Sequence, residues 1–93
     1  MKVTIEAVSE STGEDWYRMR YALWPEHGEA GHRREIADFI EGRAKEPAAV
    51  FLARSDEGNF VGLIELSIRA YAEGCEQANP AYVEGIYVEP ACR

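Results

Sequence analysis

Basic side chains are scarce in this chain: ten lysines and arginines stand against seventeen aspartates and glutamates, a formal charge of −7 over 93 residues. A phosphate backbone is bound through a basic stripe that neutralises it, so this balance argues against nucleic acid as a partner. The same negative field draws in polycations, although acidity of this kind also serves plain solubility. Long apolar runs are missing too. Nothing approaches the ~20 residues of a membrane-crossing helix, and Met1-Lys2-Val3-Thr4-Ile5-Glu6 lacks the apolar core of a secretory leader. The expectation is a cytoplasmic protein with no membrane contact. Cysteine is limited to Cys75 and Cys92, without CxxC or Cys/His spacing, which argues against a zinc site and a disulfide framework. No internal repeat or low-complexity segment occurs.

What is present is an ordinary globular mixture, 46% hydrophobic and 29% charged. A chain of this length forms one domain at most and buries only about 60–65% of its unfolded surface, which leaves a marginal core. Lys2 to Val8 alternates, with Val3, Ile5 and Ala7 on one side and Lys2, Thr4 and Glu6 on the other, the pattern of a half-buried strand. Ser11-x-x-Glu14 is a capping box, and Trp16, Met19, Arg20 and Leu23 follow at helical spacing, which predicts a helix over 12–23. Pro25 ends it and leaves Trp24-Pro25-Glu26-His27 in a loop. Ile36, Phe39 and Ile40 mark a second helix over 31–43.

The run Ala48-Ala49-Val50-Phe51-Leu52-Ala53 suits a central strand, and Ser55-Asp56-Glu57-Gly58-Asn59 turns the chain into a returning strand over 60–69. There Phe60, Ile64, Leu66 and Ile68 share one face, while Glu65, Ser67 and Arg69 share the other, so one face is core and the other mixed. A polar loop, 70–80, leads to a last strand made of Tyr82, Val83, Ile86, Tyr87 and Val88 with Glu84 in its middle. A carboxylate in such a strand must be paired, hydrogen-bonded or turned toward a cleft, because an isolated buried charge is prohibitively costly. The order is β-α-α-β-β-β, an α+β fold with helices packed on an antiparallel sheet.

Val83-Glu84-Gly85-Ile86-Tyr87-Val88-x-Pro90-x-x-Arg93 resembles the fourth strand of the GCN5-related N-acetyltransferase (GNAT) superfamily, and most closely its aminoglycoside 6'-N-acetyltransferase branch. Met19-Arg20-x-x-Leu23-Trp24-Pro25-Glu26-His27, the Glu35 segment, Val61-Gly62-Leu63 and Ser67-Ile68-Arg69-x-Tyr71-x-x-Gly74-Cys75-Glu76 recur in that order in the branch. In the superfamily this strand is followed by Arg/Gln-x-x-Gly-x-Gly/Ala, a loop and helix N-terminus that hold the coenzyme A pyrophosphate. Here the chain stops at Arg93. The resemblance therefore implies a single truncated GNAT-like domain over 1–93, an N-terminal portion that is inactive alone.

The resemblance further implies acetyl transfer from acetyl-CoA to a substrate amine by direct attack, with an aminoglycoside or other polyamine-like molecule as acceptor. It implies substrate contacts from Trp24, His27, Tyr71, Glu76 and Glu84. Glu84 is the candidate proton acceptor or orienting group, and a backbone N–H near Tyr87 or Val88 would hold the thioester oxygen of the cosubstrate. Glu73 falls where the branch has varied residues. No metal is implied. Taken from the residues alone, Trp24 and His27 also fit loop packing and a solvated histidine, and loop acids are usually just solvated.

Two rival functions stay open: a non-enzymatic, dimeric interaction or polycation-binding module, and an acetyltransferase for another amine. On the resemblance, the last strand would end the chain with an unpaired edge, and the sheet would lack the helix that covers part of one face in the superfamily. A homodimer or larger species is expected, formed through residues 82–88 or the uncovered face.

Overall fold

The computed structural model describes residues 2–68 and 81–93. Its elements are β1 (Val3–Ala7), α1 (Gly13–Leu23), α2 (Glu29–Ile40), β2 (Ala49–Ser55), β3 (Phe60–Ile68) and β4 (Ala81–Val88), with short 3-10 turns at Glu10–Thr12, Pro25–His27 and Pro90–Cys92. This is the expected β-α-α-β-β-β order. The strands form one antiparallel four-stranded sheet in sequence order, β1-β2-β3-β4. Tyr71, Glu73, Cys75 and Glu76, and the end of the third strand at Arg69, lie outside the described residues.

The helix boundaries follow local chemistry with two shifts. The first concerns the start of α1, where Ser9 rather than Ser11 begins the capped turn. The Ser9 N–H donates to Thr12 Oγ1 at 2.9 Å, and the 3-10 turn so formed feeds α1 at Gly13. Glu14, freed from the expected box, accepts from Arg33 at 2.7 Å and ties α1 to α2. The second is α2, which begins two residues before its expected start and ends at Ile40. Gly28 (φ 80°) and Gly42 (φ 79°) take left-handed conformations at its two ends that other residues adopt only with strain.

Trp16 and Met19 of α1, Ile36 of α2, Val50 and Leu52 of β2, and Leu63 of β3 make the buried core. Phe39 sets its ring edge against Trp16, centroids 5.3 Å apart at 82°. Both helices thus contribute to one face of the sheet.

That face is the mixed one of β3, opposite to what its apolar pattern suggests. Glu65 and Ser67 are buried, 2% and 0% exposed, beside Leu63, whereas Ile64, Leu66 and Ile68 point to the other side. The polar pair is tolerated there because both side chains are hydrogen-bonded. Phe60 departs from Ile64 as well: a register shift beside Arg54 turns it to the helix side, where it packs against the core. On the opposite face Val3, Ile5, Ile68, Val83 and Ile86 are each about half exposed or more (49, 62, 50, 58 and 61%). Their registers place Ile5 opposite Ala53, Phe51 opposite Ile64 and Ile64 opposite Ile86, so the apolar residues run across all four strands. Among the described residues no helix packs on that face.

Candidate functional site

The site grows from the end of α1. Trp24 closes the helix with its N–H on Arg20 O, 2.9 Å, and takes φ −131°, ψ 69°, outside the helical region that a following proline disfavours. Pro25 then opens a single 3-10 turn through His27, and Gly28 is the N-cap residue of α2. The loop is therefore short and held at both ends. His27 and Trp24 lie at the mouth between the two helices, and Glu35 reaches back from α2 to His27 Nε2 at 2.8 Å.

A connected run of polar side chains leads inward from there. Glu35 bonds Arg20 Nη1 at 2.7 Å. The Arg20 Nε–H donates to Glu65 at 2.8 Å, and the same carboxylate oxygen accepts the Trp16 indole N–H at 2.9 Å. Arg20 also donates from Nη1 to His32 Nδ1 at 2.9 Å. A guanidinium has no acceptor, so Nδ1 must be the accepting nitrogen. The proton of His32 then sits on Nε2, which donates to the Trp24 carbonyl at 2.8 Å. His32 is fully buried and neutral in this arrangement. The Arg20 guanidinium also stands 5.3 Å from the centre of the Trp24 ring.

Burial pushes the Glu35 carboxyl up, but the hydrogen bonds and charges of Arg20 and His27 outweigh it and hold the group below the usual carboxylate range. Glu35 is thus kept ionised beside the cavity.

That cavity, about 360 Å³, is bounded by Trp24 and by Glu35, Asp38, Glu46, Glu65 and Glu84, whose charge exceeds that of Arg20 and Lys45. A neighbouring recess of about 330 Å³ shares Arg20, Trp24 and Glu35 and adds Glu26 and His27. Glu84 owes its place to a bulge. Glu65 pairs with Gly85 while Leu66 pairs with Val83, so Glu84 is the extra residue on β4. Its carboxylate accepts the Ser67 hydroxyl on the helix side of the sheet. An acidic cavity with one aromatic wall can hold ammonium groups by charge-assisted hydrogen bonds.

Of the residues singled out in the sequence, Trp24 and Glu84 line one cavity, and Trp24 and His27 the adjoining recess. Tyr87 and Val88 stand apart, near the end of β4, opposite Leu63 and Gly62. The Glu89 N–H bonds Val61 O at 2.9 Å, so the Val88 N–H, one residue back, points the other way, to the edge of β4 that no described strand pairs and where the Arg93 Nε–H donates to the Val88 carbonyl at 2.8 Å. Tyr87 directs its N–H toward β3. Sequence reasoning passed over Arg20, Glu35, Asp38, Glu46 and Glu65 as site residues. Glu65 carried the signal that singled out Glu84, a carboxylate amid strand residues. Among the described residues no group of three or more metal-ligating side chains is gathered, and Cys92 is a half-buried free thiol.

The chain is similar to known proteins over most of its length. The model of the acetyltransferase (GNAT) family matches residues 15–93. The chain is 42% identical over 89 residues to the aminoglycoside N(6')-acetyltransferase type 1 of Klebsiella aerogenes, covering 96% of this chain and 59% of that protein. It is 37% identical over 92 residues to the enzyme of the same name from Acinetobacter genomosp. 13, covering 98% and 60%. The chain thus spans about 60% of the length of the curated relatives it matches. Among solved structures, AAC(6')-Iy in complex with the bisubstrate analogue CoA-S-monomethyl-acetylneamine superposes with a TM-score of 0.84 at 29% identity, over 98% of this chain and 60% of that one. The 6'-N-acetyltransferase AAC(6')-Ih of Acinetobacter baumannii gives 0.76 at 28%, over 97% and 59%. The matched span takes in most of α1, the Trp24 loop and β4 together, and the chain belongs to the acetyltransferase (GNAT) family.

Proposed function

We propose that this chain is the acceptor-binding part of an aminoglycoside 6'-N-acetyltransferase, in which a substrate amine attacks the thioester of acetyl-CoA directly. The observation that carries the proposal is the acid-lined cavity walled by Trp24, with Glu84 aimed into it by the β4 bulge. An aminoglycoside is a small polycation, and each ammonium finds a carboxylate there. Trp24 packs against a sugar ring, His27 contacts the ligand at the mouth, and Tyr71 and Glu76 complete the contacts from the segment before β4.

The attacking amine must be neutral. Glu84, directly or through a water, accepts its proton or orients it, and its hydrogen bond to Ser67 holds the carboxylate in place. The Val88 N–H on the open edge of β4 supports a role in polarising the thioester carbonyl, with Tyr87 shaping the surface beside it. Acetyl-CoA is the cosubstrate. No Arg/Gln-x-x-Gly-x-Gly/Ala occurs within the 93 residues, so these residues alone are proposed to bind the amine and not to turn it over.

The protein is proposed to be cytoplasmic and to associate as a homodimer or larger species. Val3, Ile5, Ile68, Val83 and Ile86 form exposed apolar surface that a second copy would bury. The same surface suits the rival reading, a dimeric polycation-binding module without chemistry.

Calorimetric titration with neamine and an acetyl-transfer assay separate these outcomes. The 93-residue chain should bind neamine with an affinity that falls on Glu84→Gln, and should transfer no acetyl group. Transfer should appear once a relative's coenzyme-binding segment is joined after Arg93. Absence of binding by the wild-type chain would overturn the proposal. Binding without transfer by the joined protein would favour the rival.

A further inference from the structure

Trp24 is held from three sides, and two of its supports lie outside both cavities. The His32 Nε2–H donates to the Trp24 carbonyl at 2.8 Å, from a ring that is itself 0% exposed. That donor exists because the Arg20 guanidinium occupies His32 Nδ1 and fixes the tautomer. The indole ring lies directly on Gly85 of β4. A Cβ built there would meet Trp24 Cη2 at 2.5 Å and Cζ2 at 2.8 Å, with Leu23 Cδ2 at 3.0 Å. The third support is Arg20 itself, 5.3 Å from the ring centre.

From this arrangement we propose that His32 and Gly85 are positioning residues that together set where the Trp24 ring stands, and thereby the width of the amine cavity. Neither lines the cavity or the recess. His32 fixes the backbone at Trp24, and Gly85 lets the ring settle against the sheet. Carbon contacts are comfortable at roughly 3.5–4.0 Å, so a methyl group on Gly85 drives the ring about 1 Å or more toward the ligand space. Gly85 does not need its hydrogen for a turn; its φ is not among the positive ones. The missing Cβ is what the ring requires. The consequence for the ligand rests on the function proposed above, whereas the consequence for the Trp24 ring does not.

The test uses the chain labelled with 5-fluorotryptophan, whose two tryptophans give two 19F resonances. Trp16, 1% exposed in the core, is the internal control for the fold, and Trp24 is the reporter. Gly85→Ala should shift the Trp24 resonance, leave that of Trp16 in place and weaken neamine binding by roughly tenfold, since a misplacement of about 1 Å can cost up to ~10²-fold. His32→Leu, which can neither accept from Arg20 nor donate to Trp24, should also displace the Trp24 resonance. His32→Gln, with an acceptor oxygen and a donor nitrogen, should restore it toward the wild-type position.

An unmoved Trp24 resonance in Gly85→Ala with Trp16 native overturns the proposal, as does a glutamine variant no better than leucine. If the leucine variant loses the Trp16 resonance and so its fold, Gly85→Ala decides alone. A wild-type chain that binds no neamine overturns the function proposed above, while the resonances still judge the positioning.

Discussion

Replacing Glu65 by leucine tests whether the polar interior of this protein is held as argued. The carboxylate is 2% exposed and accepts the Arg20 Nε–H at 2.8 Å and the Trp16 indole N–H at 2.9 Å. Removing one partner of a buried ion pair costs about 3–5 kcal/mol, because the other charge is left without compensation. Here Arg20 keeps Glu35 and His32, which argues for the lower end, about 3 kcal/mol. The orphaned indole N–H adds about 1 kcal/mol, and apolar burial of the leucine offsets about as much. The net loss is then about 3 kcal/mol, against a total stability of roughly 5–14 kcal/mol for a chain of this length.

At about 4–8 °C per kcal/mol for so small a domain, the melting temperature should drop by roughly 12–24 °C. Urea unfolding followed by far-ultraviolet circular dichroism gives the free energy directly. The double variant Glu65→Leu with Arg20→Met removes both charges and should recover about half of the loss, because an apolar pair of similar volume is often neutral in place of a buried ion pair. A single variant costing under about 1 kcal/mol, or a double variant whose loss equals the sum of the two singles, would refute the reasoning.

Other outcomes follow from the same geometry. In the chain joined to a relative's coenzyme-binding segment, Glu84→Gln should lower kcat/KM by roughly 10²-fold through loss of the proposed proton acceptor or orienting group, and Trp24→Ala should raise KM, with circular dichroism unchanged in both. Wild-type kinetics would return these residues to a purely structural role. Glu35, held ionised by Arg20 and His27, has a folded pKa below its unfolded one. Its contribution is therefore fully present above the ordinary carboxylate pKa of about 4.3 and is lost as pH falls through the lower folded value. The side chain is 42% exposed, so the effect is modest. Urea midpoints from pH 7 to pH 3 should show the gap between wild type and Glu35→Gln narrowing in acid, and a constant gap would contradict it. Ile86→Lys, on the apolar face where Ile86 is 61% exposed, should weaken the proposed self-association as followed by sedimentation equilibrium. A wild-type monomer at micromolar concentration would remove the basis for association through that face.

The sequence by itself determined the elements and their order. Periodicity marked both helices because Trp16, Met19 and Arg20, and Ile36, Phe39 and Ile40, recur at the helical repeat, a property of neighbours along the chain. Pro25 and the Ser55 to Asn59 turn punctuated it for equally local reasons. Trp24, His27 and Glu84 were legible as residues out of place, an aromatic and a histidine in a loop and a carboxylate in a strand. What only the tertiary structure decided was which face of the sheet the helices cover. Alternation in β3 says that two faces differ but not which one meets a partner, and the core formed on the side where Glu65 and Ser67 could be hydrogen-bonded by residues from other elements. Arg20 read as part of a helix stripe, and His32 as no more than a helical residue. Their partners lie 45 and 12 positions away along the chain, so the link from Glu65 to the Trp24 carbonyl, and the close seat of the Trp24 ring on Gly85, exist only once α1, α2, β3 and β4 have packed together.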